Sequence, residues 1–236
     1  MRRFWDEASV RRDGDGFEVL LDGRPMRLPG GPSLRLRSAA LTEAVAAEWR
    51  AVGGAKGGEM SLDSVPLTRL AGTAQERVAR DPGASIAALA RYGEADLLCY
   101  RAERPEALVA LQSRSWDPLL DWAASSLDAR LRVTVGVIHV AQPEPALAAL
   151  TRAAARFDAN GLAGLGIAVP ALGSLVLGLA LAQGRLDAAA AAALGTLDER
   201  HQIDAWGHDE EAARRLDLIA AEVALASRFM ALAAAP

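Results

Sequence analysis

The spacing of apolar positions changes character along the chain. In the first forty residues they fall in short runs broken by turn signals. Phe17-Glu-Val-Leu-Leu21 is β-prone, Asp22-Gly23 is a hairpin turn signal, and Arg24–Leu28 resumes the extended pattern. Pro29-Gly-Gly-Pro32 predicts a second turn, and Leu34-Arg-Leu-Arg37 alternates as a half-exposed strand does. From Ser38 the period lengthens. Ser38 is placed to cap a helix to about Val52, with Leu41, Val45 and Trp49 on one face at steps of four. Gly53–Gly58 then reads as a flexible linker.

Beyond it the pattern is mostly helical. A helix starting at Ser64 or Pro66 runs to about Arg80, and Asp81-Pro82 closes it and opens the next. Pro105 opens a helix carrying Leu108 and Leu111, expected to kink or break before Pro118 and continue to Leu127. Leu131–Val140 is rich in β-branched residues and predicts a strand broken at Gly136. Pro143 begins another helix. The last runs from about Asp209 to Leu232, with Leu216, Ile219, Val223 and Met230 inward and Arg214, Arg215, Glu222 and Arg228 outward. The fold class expected is α+β: a β-rich N-terminal domain with one helix over residues 1–60, then a mainly helical domain over 61–236.

Composition limits the functions available. Apolar residues are 51% and charged residues 24% of the chain, enough for a real core. One uncharged run, Gly161–Gln183, is long enough to cross a bilayer. Its five glycines and Pro170 dilute it, and Gly166–Pro170 reads as a break, so a buried helix is expected and no membrane insertion. Arg2 and Arg3 are followed at once by Asp6-Glu7 rather than an apolar run, which does not fit a secretory signal; the cytoplasm is the expected location. A formal charge of −4 offers no general attraction to nucleic acid. The single cysteine, Cys99, lies in an apolar run and reads as a buried structural thiol.

Candidate chemistry is sparse. Gly53-Gly-Ala-Lys-Gly-Gly58 lacks the Gly-Lys-Ser/Thr ending of a phosphate loop, no strand leads into it, and Lys56 points to no partner. Ser174 is not in a nucleophile elbow and is expected to bond to the backbone of a buried helix. His201, Asp204, His208 and Glu211 would share one face of an unbroken helix and could form the metal site of a metal-dependent enzyme, but Trp206-Gly207 interrupts the spacing. No metal or other cofactor is expected. Charge is unevenly spread: residues 1–37 hold eight arginines and six acids, whereas residues 198–222 hold eight acids and three arginines. The acidic stretch Leu197–Glu211 is interleaved with Ile203 and Trp206. An aromatic among charges fits an interface, and a core anchor between two helices is the other reading of Trp206.

Ordered motifs extend over most of the chain: Arg3-Phe4-Trp5, Val19-Leu-Leu-Asp-Gly-Arg-Pro25, Ala47-Glu-Trp49, Pro66-Leu-Thr-Arg-Leu-Ala71, Asp96-Leu-Leu-Cys-Tyr-Arg101, Ser115-Trp-Asp-Pro-Leu-Leu-Asp-Trp122, Gly173-Ser-Leu-Val-Leu177 and Leu197–Glu211. In these the chain resembles the assembly chaperones of F-type ATP synthase that attend the alpha subunit of the catalytic head. The resemblance implies a non-enzymatic protein, taken here to be a monomer. It would bind the free alpha subunit and prevent its aggregation until the beta subunit replaces it. It places the family's functionally important acid at Asp198 or Glu199 and makes Trp49 sensitive, through contact or packing. The candidate partner-binding residues are Asp198, Glu199, Trp206, Glu210, Glu211 and Trp49. His201 stands where the family would have an aromatic residue, and Gly53–Gly58 looks looser than the family's connection.

Overall fold

The computed structural model describes residues 2–207 and 209–235, with the side chain of Trp206 outside the description. In chain order it holds β1 (Ala8–Asp13), β2 (Gly16–Leu21), β3 (Arg24–Pro25), β4 (Arg35–Leu36), α1 (Ala39–Ala51), α2 (Pro66–Thr73), α3 (Pro82–Glu94), β5 (Tyr100–Arg101), α4 (Glu106–Ser126), β6 (Thr134–Val135), α5 (Glu144–Ala154), α6 (Ala159–Leu172), α7 (Leu175–Ala182), α8 (Ala188–Gly195), α9 (Leu197–Trp206) and α10 (Glu210–Ala234). The architecture is α+β, as the pattern predicts. Two compact units divide the chain. One comprises residues 1–82, 158–164 and 228–236; the other comprises residues 83–157 and 165–227.

In the first unit β2 is the buried centre of a four-stranded antiparallel sheet. It pairs along its whole length with β1, from Ala8↔Leu21 to Asp13↔Gly16, and at its two ends with β3 and β4. Asp22 and Gly23 both take positive φ, which the tight turn expected there requires. β1 escapes the alternation test because Arg11 and Arg12 are adjacent in it; Arg11 instead pairs across the sheet with the buried Glu18 at 2.7 Å. Ser38 caps α1 by accepting from the Leu41 amide, and Leu41, Val45 and Trp49 are buried as their spacing requires.

Three of the motifs meet here, and each has a mechanical task. The buried Arg3 guanidinium donates to the carbonyls of Arg50, Val52 and Gly54 at 2.8, 3.2 and 2.6 Å, so a charge opposes the carbonyl end of α1. Glu48 accepts from the Leu67 and Thr68 amides at 2.7 and 3.0 Å and caps the start of α2. Gly53–Gly58 is consequently not the flexible linker expected. Arg3 and residues 57–58 exchange backbone hydrogen bonds of 2.7 and 2.9 Å, and Lys56, expected to lack a partner, pairs with Asp6 at 2.7 Å.

The second unit is built around α7, whose residues Leu175–Leu181 are all buried. A helix apolar all round must be surrounded, and α4, α5 and α8 pack against it. Its glycine permits close approach: a Cβ on Gly178 would lie 2.4 Å from Val169 Cγ2 of α6. The break expected at Gly166–Pro170 falls instead at Gly173, with a positive φ of 62°, and Ser174 caps α7. α6 continues through Pro170, and α4 continues unbroken through Pro118. Both prolines lie on exposed faces, as do Gly166 and Arg114 four residues earlier, so the carbonyls they release face water. No helix of the described residues is long and apolar enough to cross a membrane.

Leu131–Val140 is the largest departure from expectation. Only Thr134–Val135 is a strand, paired in parallel with β5, and the rest is irregular. Gly136, at φ 82°, ends the pairing, and no second layer among the described residues covers the segment: Val137 and Ile138 are exposed. β-branched composition favours a pleated, half-buried surface, and without cover it has nothing to pack against.

Candidate functional site

The acidic segment enters the structure through its attachment to α4, a helix of the same unit. The apolar stripe of α4 runs Leu108, Trp116, Leu119 and Trp122, with Gln112 one turn before Trp116. Trp116 is fully buried and donates from Nε1 to the Leu194 carbonyl at 3.1 Å, which fixes the end of α8. Gly195 allows that end to come close, since a Cβ there would stand 2.8 Å from Leu172 Cδ2. Leu197 is buried and anchors the first turn of α9. Gln112, itself buried, accepts from the Ala102 amide at 2.8 Å and donates to Asp198 Oδ1 at 2.8 Å. Asp198 is therefore a half-buried carboxylate held by one oxygen.

Asp198 and Glu199 are neighbours on α9 yet face different spaces. Asp198 lines a depression of about 350 Å³ together with Tyr100, Arg101, Glu103, Arg104 and Val137. Glu199 lines a groove of about 520 Å³ between α9 and α10, with Ile203, Glu211, Arg215 and Leu216. The groove thus brings together two of the predicted acids, ten or more residues apart, beside two half-buried aliphatic side chains. Glu210 is exposed and lies 3.7 Å from Arg214 one turn on, a pair worth a few tenths of a kcal/mol. The Trp206 side chain lies outside the described residues. Trp49 belongs to the first unit and is buried there, donating to Thr68 Oγ1 at 2.9 Å with its ring centroid 4.8 Å from that of Trp5 and tilted 51° to it, so it packs rather than presents a surface.

The residues offered for metal chemistry do not share one helix. Gly207, at φ 100°, ends α9 after His201 and Asp204, and Glu211 belongs to α10. His208 lies outside the described residues. Among the described residues no three His, Cys, Asp or Glu side chains gather where an ion could be held.

One buried carboxylate was not anticipated as such. Asp96 is fully buried; its Oδ1 accepts from Ser174 Oγ at 2.7 Å and the Leu98 amide at 3.1 Å, and its Oδ2 accepts from the Val176 amide at 3.0 Å. Burial pushes its pKa up to about 6 against these hydrogen bonds, which favour the charge. Ser174 is thereby a cap and a strut rather than a nucleophile. Burial, reinforced by the Asp96 charge, raises the Cys99 thiol to about 12, which leaves it inert at neutral pH.

Gln112, Glu103, Arg104 and Val137 are among the site residues that the sequence pattern did not single out. Gln112 left a signal, a lone polar residue at the i−4 position of an otherwise apolar stripe. Val137 left none, because it reaches the depression only through the irregular path of its loop.

The chain is similar to known proteins over most of its length. Residues 2–124 match the model of the ATP12 chaperone protein family. The crystal structure of Atp12 from Paracoccus denitrificans is 45% identical, covers 98% of each chain and superposes with a TM-score of 0.90. An aspartate-to-lysine mutant of the same organism's Atp12p is 44% identical, over 98% of this chain and 97% of that one, with a TM-score of 0.91. A putative chaperone from Agrobacterium tumefaciens is 38% identical, over 96% of this chain and 84% of that one, with a TM-score of 0.86.

Proposed function

The chain belongs to the ATP12 family of chaperones for ATP synthase assembly, and from that premise we propose that its client is the free alpha subunit of the catalytic head. The observation that carries the reading is family membership over nearly the whole length, joined to an open groove in which Glu199 and Glu211 flank Ile203 and Leu216. An unassembled subunit exposes apolar surface that its neighbours would bury, and such surface aggregates. The groove offers aliphatic contact for that surface and carboxylates for its basic rim. Because it is shallow and mixed, it suits a contact of moderate strength, which a beta subunit displaces by offering a larger interface. Asp198, Glu199, Glu210 and Glu211 are the acidic contacts in this account, and the protein acts as a monomer in the cytoplasm without catalysing a reaction.

The test is reconstitution. Purified alpha subunit diluted from denaturant should scatter light alone, and remain clear and co-elute with this protein when it is present. Adding beta subunit should release the chaperone. Aggregation at the same rate with and without it would refute the assignment.

A further inference from the structure

The irregular segment around β6 has a feature that the acidic groove does not account for. Val133, Val135, Val137 and Ile138 are 48%, 59%, 95% and 80% exposed, and they are most of the large apolar side chains that the described residues leave in water. The frame that carries them is fastened. The buried Gln142 closes its base, accepting from the Arg132 amide at 2.7 Å and donating to the Arg132 carbonyl at 2.9 Å. The Gly136 amide donates to the Arg101 carbonyl at 2.8 Å, and Tyr100 Oη lies 3.2 Å from His139 Nδ1. A chain segment free to collapse would bury four aliphatic side chains, gaining about 25 cal/mol per Å². Here the backbone is tied with those side chains outward, which is the arrangement of a contact surface.

The segment is continuous with the depression that holds Asp198, because Val137 and Gly136 form one wall of it. The depression is negative in balance. Arg101 is committed, donating to Asp117 at 2.8 Å and to the Leu98 carbonyl at 3.0 Å. That leaves the carboxylates of Glu103 and Asp198 against Arg104 alone. A Cβ at Gly136 would lie 3.2 Å from Glu103 Oε1, so that carboxylate sits directly beneath the loop. Only one oxygen of Asp198 has a protein hydrogen bond among the described residues.

We propose that residues 133–138 dock an extended apolar segment of the unassembled client, with one lysine or arginine of that segment entering the depression toward Asp198 and Glu103. The proposal rests on the chaperone reading above and deepens it by adding a second contact region of stated chemistry. Val135, Val137 and Ile138 supply area, and the two carboxylates fix register by accepting the cation.

The experiment uses the full chain and purified alpha subunit in the dilution assay. The variant Val137→Ser with Ile138→Ser changes only exposed side chains, so its melting temperature should match the parent's, and its capture of alpha subunit should be about tenfold weaker. A photo-crosslinking residue at Ile138 should label alpha subunit, and one at the exposed Leu62 of the first unit should not. Undiminished capture by the double variant, equal labelling from both positions, or labelling from Ile138 of a second copy of this chain would each overturn the docking role. If the parent chain itself fails to hold alpha subunit, the chaperone assignment fails and the docking role falls with it. Parent capture with an unaffected variant overturns the docking role alone.

Discussion

Substituting Asp198 with lysine probes two roles that its position combines, and the structure assigns each a magnitude. Its Oδ1 is the acceptor for the Nε2 group of Gln112, a side chain with no alternative access to water. Removing that acceptor leaves a buried amide donor unsatisfied, which costs about 1–3 kcal/mol. A lysine ammonium in the first turn of α9 adds about 0.3–1 kcal/mol against the helix dipole. At about 2–4 °C per kcal/mol for a chain of this size, the two costs together, centred near about 2.7 kcal/mol, lower the melting temperature by about 5–11 °C. Asp198→Asn keeps a carbonyl for Gln112 and removes only the charge, so its melting temperature should stay close to the parent's. Glu199→Lys breaks no hydrogen bond and should cost no more than about 1 kcal/mol, most of it from the dipole. The assay is differential scanning calorimetry alongside capture of alpha subunit at a temperature where every variant is folded. If the charge contacts the client, Asp198→Asn loses capture at unchanged stability. An Asp198→Lys protein that melts within about a degree of the parent would refute the worth assigned to the Gln112 bond.

The other expectations follow from the two cores. Because the folded pKa of Asp96 is raised to about 6 from 3.8, folding takes up a proton between those values; its contribution is fully present below pH 3.8 and is lost as pH rises through 6. The stability difference between the parent and Asp96→Asn should therefore shift by about 3 kcal/mol from pH 3.5 to 7 in denaturant titrations, and a flat difference would contradict the burial argument. Trp49→Ala should cost about 3–5 kcal/mol, while the protein that remains folded still captures client, as measured by co-elution at low temperature. Glu48→Ala leaves two amides at the start of α2 without acceptors and should cost about 1–3 kcal/mol by urea titration. Cys99 should resist thiol reagents in native protein and react once unfolded, as followed by the absorbance of the released thiolate.

Local chemistry made much of the secondary structure legible in the sequence. The Asp22-Gly23 turn, the Ser38 cap, the buried face of α1 and the break at Gly207 follow from which residues tolerate positive φ, accept an amide hydrogen bond or recur at steps of four. Resemblance of the ordered motifs identified the family before any coordinates. What those motifs do was settled by residues distant in sequence: Arg3 at the end of α1, Glu48 at the start of α2, and Asp96 beneath Ser174. A sequence pattern records which faces are apolar but not which element arrives to cover them. For that reason the β-branched segment 131–140 is left mostly uncovered, and α4 and α6 run on through Pro118 and Pro170. For the same reason Asp198 and Glu199, adjacent in the chain, look into separate spaces. Hydrogen-bonding preferences and periodicity act over a few residues and are written in the sequence; burial is a property of what packs opposite, and only the tertiary structure decides it.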